Sequence, residues 1–449
     1  MVGRLLSDRN DPKPVPLQPR NTFLPMQFYQ KIFLIPILAA TQSAGFAEST
    51  ITPEEAIQMA LRNNRELAIA KSEVARAESR ARWAGRLDNP ELEISATDDS
   101  IGLDDSESVL EIGFSQKFPL TARLREEKNV RKTQVMLAEA EIVERRRHLA
   151  FEVDQQATEL LATRNKLTLS DELVALNKKV VNFLKEQVKR GEVSNLDVTQ
   201  AILSGRSLEQ QAMALRNEAK REALALKKIL GVEPSSEIRL GGNLPTPVSK
   251  PDHRDDLDAI LQRRPDYLLA LAQTDVAKAE IALAEADTWE DVTIRVFLES
   301  EKSVDEPDGL ERNTFAGVGF SIPLPLRDRN QEGIEQAEIG IDVADQTVEA
   351  NVFNIRSEYE AAFQERLSAY EIATESTGEV IDLAEKNLED FRTAYEQGQA
   401  SLIQVQRAQE QLLELRNASV DMLEAFHLAE ARLRFVAGNY PEIQTSHAK

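Results

Sequence analysis

The stretch Leu169-Ser-Asp-Glu-Leu173-Val-Ala-Leu176-Asn-Lys-Lys-Val180-Val-Asn-Phe183-Leu184 carries an apolar side chain at every third or fourth position, and Val188 continues the series. Spacing of this kind keeps one stripe of a helix turned toward a neighbour, which is the seam of a coiled coil. The stretch lies inside a longer tract, Thr121 to Arg190, that contains neither glycine nor proline. At about 1.5 Å per residue, its roughly 70 residues make a rod about 100 Å long. Helices of ordinary globular proteins are far shorter, so the remaining sequence has to supply what such a rod packs against.

Upstream of the rod, Glu91 to Thr97 alternates polar and apolar residues with period two, and Val109 to Phe118 does so again. An acidic turn segment, Asp98 to Glu107, separates the two runs, and Pro119-Leu120 leads into the rod. Before the first run, Thr52-Pro-Glu-Glu is a helix start, with a capping hydroxyl, proline at the first position and acids facing the dipole. That helix is expected to run to about Leu87 and to stop at Asp88-Asn-Pro90. Downstream, Gly191-Glu-Val-Ser-Asn-Leu-Asp197 breaks the rod and restarts a helix that continues to Leu230 and ends at Gly231. The Gly- and Pro-rich tract from Gly241 to Pro251 reads as a linker.

Beyond the linker the plan returns. Val74-Ala-Arg-Ala-Glu78 reappears as Val276-Ala-Lys-Ala-Glu280, and Gly113-Phe-Ser-Gln-Lys-Phe-Pro-Leu120 as Gly319-Phe-Ser-Ile-Pro-Leu-Pro-Leu326. Gly191, Ser194 and Val198 reappear as Gly398, Ser401 and Val405, so the offset drifts only from 202 to 207. Each half is then the same unit: short helix, two strands, long helix, short helix. The chain divides into an N-terminal extension and signal (1–47), a first repeat (48–240), a linker (241–256), a second repeat (257–440) and a tail (441–449). The short helices near 52–87 and 196–230 are roughly 55 Å each, so placed end to end they match the rod as one broken column beside it.

The strand runs have one apolar face: Leu92, Ile94, Ala96 and Leu110, Ile112, Phe114, then Ile294, Val296, Leu298 and Ala316, Val318, Phe320, Ile322. Each run of about ten residues is long enough to cross a bilayer as a tilted strand. Four strands cannot close a barrel, and open edges in lipid leave backbone groups unpaired at several kcal/mol each, so membrane strands here require oligomerisation. Two soluble hairpins capping a helical bundle would give the same pattern.

Composition narrows the function. The chain has 449 residues, a formal charge of −22 and no cysteine. Such acidity argues against nucleic acid as a partner, and the lack of cysteine excludes disulfides, thiolate metal sites, thiol catalysis and a lipidated cysteine. Met26 to Lys31 precedes an apolar run, Ile32 to Ala40, and small residues then lead to Gly45-Phe-Ala47. This reads as a secretory signal cleaved near Ala47, with Met26 as the start, since the run is too short for a spanning helix. The four histidines, His148, His253, His427 and His447, have no ligand spacing. No phosphate-binding loop, nucleophile elbow or zinc-hydrolase motif occurs, so neither a catalytic site, a resident metal nor any cofactor is expected. The acidic charge favours cations in a conduit if the acids line it, and merely keeps the surface soluble if they do not.

The Asn89-Pro-Glu-Leu92 strand entry, the Phe114-Ser-Gln-Lys-Phe-Pro-Leu120 exit and the two Gly-x-x-Ser turns resemble the TolC-like outer-membrane efflux channels over Thr52 to Tyr440. Pro323-Leu-Pro-Leu-Arg-Asp-Arg-Asn-Gln331 is similar to the CzcC-like branch, which serves heavy-metal efflux with RND pumps. The resemblance implies a mostly α fold with a membrane β-barrel portion: a homotrimer with a twelve-helix periplasmic tunnel and a shared twelve-stranded barrel in outer-membrane lipid. It also implies docking to a periplasmic membrane-fusion adaptor and an inner-membrane pump.

By that resemblance Gly191, Ser194, Gly398 and Ser401 mark the adaptor-docking tips. Asp197 and Tyr395 match the family's gate aspartate and tyrosine, while the gate arginine is Ala400 here and two ring acids are Gln404 and Arg407. Arg407 pairing with Asp197 would be one way to retain a gate. Asp197 also fits a simple helix-start acid near the dipole. The expected function is the outer-membrane duct of a tripartite efflux system exporting divalent metal cations. Ducts for multidrug efflux or type I secretion are the alternatives of the same architecture, and a periplasmic coiled-coil scaffold or adaptor is the alternative of another class.

Overall fold

The computed structural model describes residues 49–98, 107–248, 250, 254–305, 309–375 and 378–440. The signal segment, most of the acidic turn after Asp98, part of the linker, His253, His447 and the C-terminal tail lie outside the described residues. The order is β1 (Ser49–Ile51), α1 (Pro53–Asn63), α2 (Arg65–Trp83), β2 (Glu91–Asp98), β3 (Ser108–Phe118), α3 (Arg123–Lys189), α4 (Asn195–Ile229) and β4 (Ile238–Leu240). It continues with α5 (Leu257–Arg263), α6 (Pro265–Ala286), β5 (Val292–Asp305), β6 (Gly309–Ser321), α7 (Gln331–Glu375), α8 (Gly378–Glu396) and α9 (Leu402–Val436). The chain is mostly helical, and none of the described helices is long and apolar enough to cross a membrane.

The rod α3 is 67 residues long and carries α1, α2, α4, α6 and α9 against its flanks. Its seam residue Leu173 and the adjacent Val174 pack with Leu208 and Ala212 of α4 and Leu413 of α9, with Leu169 and Leu176 partly buried beside them. Farther along, Leu184 is fully buried with Val198, Ala201 and Leu402.

The first short helix differs from expectation. It breaks at Asn64, whose backbone is extended (φ −61°, ψ 128°), and α2 ends at Trp83 rather than Leu87. The Asn64 side chain works in two directions: Oδ1 accepts from Leu67 N–H, capping α2, and Nδ2 donates to the Ile229 carbonyl at the end of α4. The column therefore joins at this break, where α4 abuts the α1–α2 junction. Arg264 breaks α5 from α6 in the same way, held extended because it precedes Pro265, and its Nη1 donates to the Val436 carbonyl at the end of α9. Gly231 and Gly438 follow the two helix ends with φ of 70° and 67°.

Two further strands were not expected. β1 and β4 pair in parallel, Ser49 with Ile238 through Ile51 with Leu240, and tie the start of α1 to the segment after α4. The other four strands form one antiparallel sheet in the order β2-β3-β5-β6, with β3 pairing β5 from Ser108–Lys302 to Phe118–Val292. β2 and β6 are its edges.

Candidate functional site

Two places concentrate functional chemistry: the pair of helical tips and the four-stranded sheet. At the first tip, α3 ends on Gly191 in the left-handed region (φ 78°), with Glu192 N–H bonded back to the Gln187 carbonyl. Ser194 then caps α4: its Oγ accepts from Leu196 N–H, and Asp197 Oδ2 accepts from Ser194 N–H at 3.3 Å. The second tip repeats the design. Gly398 has φ 70°, Gln399 N–H bonds the Ala394 carbonyl, and Gln404 Oε1 accepts from both Ser401 N–H and its hydroxyl. Glycine is needed because the reversal takes positive φ, and the serines satisfy helix-start donors.

The tips meet. Asp197 and Tyr395 line one groove of about 500 Å³ together with Phe183, Gln187, Val193 and Leu402. The Tyr395 hydroxyl is buried without a hydrogen-bond partner. Burial first, and the Asp197 charge second, hold its phenol above the ordinary value. Arg407 is not part of this groove; it is exposed and forms no ion pair among the described residues. Within the chain, the Asp197 carboxylate is used as a helix cap.

The sheet is two-sided, because directly opposed residues point to the same face. One face carries Leu92, Ile94, Ile112, Phe114, Val296, Leu298, Val318 and Phe320, all exposed. The other carries Glu91, Glu93, Glu111, Glu299 and Glu301. Arg295 lies on this second face, 3.0 Å from Glu93 and ion-paired with Glu111, across the bare backbone of Gly113.

The family model of outer membrane efflux proteins matches residues 56–232 and 257–439. The chain belongs to this family. Among the relatives of this efflux protein is the cobalt-zinc-cadmium resistance protein CzcC of Cupriavidus metallidurans, 22% identical over 93% of this chain and the whole of that one. Among solved structures it is similar to CusC, 20% identical, covering 90% of this chain and 96% of that one with a TM-score of 0.68. It is likewise similar to the outer membrane protein VceC of Vibrio cholerae, at 19% identity, 86% and 96% coverage and a TM-score of 0.64.

This efflux protein is thus a transport protein of the outer membrane, with its helical tunnel in the periplasm, and not an enzyme. The periplasmic scaffold or adaptor reading is set aside by the family match. Among its described residues no group of His, Cys, Asp and Glu is arranged to hold a metal. His427 bonds the Pro245 carbonyl at 2.9 Å, and His148 sits 3.0 Å from Glu144 with its ring edge-on to Phe435.

A buried ionic cluster in the efflux protein was not foreseen from sequence. Arg264, 2% exposed, forks onto Asp266 and reaches Glu358 at 3.0 Å. Arg147, 3% exposed, forks onto Glu144, lies 3.6 Å from Asp266 and donates to the Phe435 carbonyl. Burial pushes the Asp266 carboxyl up, but the Arg264 hydrogen bonds and the Arg147 charge outweigh it and leave the group below its ordinary value. The only sequence signal is an Arg-Pro-Asp triplet at a helix start.

Proposed function

We propose that this protein is the exit duct of an RND-type tripartite efflux system and passes divalent metal cations from the periplasm or cytoplasm to the exterior. The observation that carries this reading is the acidic face of the sheet, where Glu91, Glu93, Glu111, Glu299 and Glu301 share a side with Arg295. With the apolar face toward lipid, that side lines the conduit, and like-signed walls concentrate the opposite ion. Similarity to a cobalt-zinc-cadmium resistance protein supports the same cargo.

Three chains form the duct. The free edges of β2 and β6 leave unpaired backbone groups that are costly in lipid, and joining edge to edge in a trimer gives a closed twelve-stranded barrel. The tips at Gly191, Ser194, Gly398 and Ser401 meet a periplasmic adaptor that connects to an inner-membrane pump. Asp197, Tyr395 and Arg407 act as the gate that closes the pore there.

A strain lacking the protein tests the cargo. Growth is measured across zinc, cobalt, cadmium and copper, beside dyes and detergents. Sensitivity confined to metals is the expected result. Sensitivity confined to dyes and detergents would move the duct to drug efflux, and sensitivity to none would make secretion or a redundant channel the leading account.

A further inference from the structure

The chain contains two tryptophans, Trp83 and Trp289, 206 residues apart and hence at equivalent positions of its two halves. Trp83 is the last residue of α2, and Trp289 lies between the end of α6 at Ala286 and the start of β5 at Val292. Both therefore stand where a helix hands over to a strand. Neither is used by the core: they are 63% and 41% exposed. At the same end of the sheet, Leu87, Leu120, Leu324 and Leu326 are exposed as well. The Arg86 guanidinium stacks 3.9 Å above the Trp83 ring.

We propose that Trp83 and Trp289 are membrane anchors that sit at the headgroup level of the inner leaflet and fix the depth of the sheet. Indole suits that zone because it is apolar over most of its surface yet carries one N–H donor. A guanidinium stacked on it presents its remaining donors to lipid phosphate.

The spacing along the strand agrees. On the apolar face, charge first appears at one level, Asp98 on β2 and Lys302 with Arg312, which are paired across β5 and β6. From Val292 to Lys302, at about 3.4 Å per residue and a tilt of about 40°, the height is about 26 Å, close to the ~25 Å apolar band of outer-membrane barrels. The two tryptophans then mark the lower border of that band and the Lys302–Arg312 pair the upper one. The inference rests on membership of the outer-membrane family and is independent of what the duct carries.

Having only two tryptophans makes the test direct. Full-length protein is reconstituted into vesicles of phosphatidylcholine brominated near the headgroup or near the chain end, and intrinsic fluorescence is read for the wild type, Trp83→Phe and Trp289→Phe. The expected result is a blue-shifted emission from each indole, with a larger loss of intensity to shallow bromine than to deep bromine. Quenching by aqueous iodide and not by bromolipid would place the indoles in periplasmic water and overturn the proposal. Protection from both quenchers would place them between protomers and overturn it equally. The wild type alone decides between these outcomes if either variant fails to assemble.

Discussion

Arg264 joins three elements through one side chain: it leads into α6, reaches Glu358 on α7 and holds the Val436 carbonyl at the end of α9. Arg264→Ala would leave the half-buried Asp266 with only Arg147 beside it, at a cost of about 1–3 kcal/mol. Loss of helical circular dichroism on heating should therefore begin well below the wild-type temperature in detergent solution. The cluster also predicts an acid effect. Because Asp266 is depressed in the folded state, its contribution is complete above the unfolded carboxyl value of about 3.9 and is lost as pH falls through the lower folded value. Asp266→Asn should flatten that acid limb of a stability profile. At the tips, Tyr395→Phe with Asp197→Ala should raise single-channel conductance by removing the phenol and the carboxylate that share one groove. Unchanged conductance would remove both residues from the gate.

Among the elements, the two glycines that follow α3 and α4 make a useful contrast. A Cβ on Gly231 would run into the Asn63 carbonyl oxygen, in addition to the strain of its positive φ, whereas a Cβ on Gly191 meets nothing within 4 Å. Gly231→Ala should cost about 2–4 kcal/mol and Gly191→Ala about 1–2 kcal/mol, a ranking that thermal melts of the two variants check. The rod α3 was legible because its three-four apolar repeat has no other reading, and the apolar face of the strands followed from alternation alone. The Gly-x-x-Ser tips were legible because positive φ and helix capping each demand a particular side chain. The break at Asn64 was hidden, since asparagine interrupts a helix pattern without the mark that proline leaves at Pro265. Strands β1 and β4, three residues each, are too short to show a period. Of the ionic cluster only the Arg-Pro-Asp triplet left a trace in the sequence, because the carbonyl that Arg147 meets at Phe435 lies 288 residues away.

For the whole molecule, the sheet is where assembly is decided. Leu298 stands in the middle of the apolar face, opposite Ile112 and Ala316. Leu298→Arg should cost about 2–4 kcal/mol per chain near the bilayer midplane, seen as loss of outer-membrane trimers on cross-linking while Leu298→Ile assembles normally. The same sheet sets an order of events during synthesis. The helical hairpin of α3 and α4 closes between neighbouring stretches, but the ladder of β3 with β5 joins residues 174 to 194 positions apart, and contacts of such separation form slowly. An emerging chain therefore carries the β2–β3 hairpin across the periplasm with its oily side uncovered until β5 arrives. A fragment ending in the linker would keep its coiled coil and aggregate through that hairpin. The inner strands β3 and β5 can therefore pair only once both halves of the chain have been made.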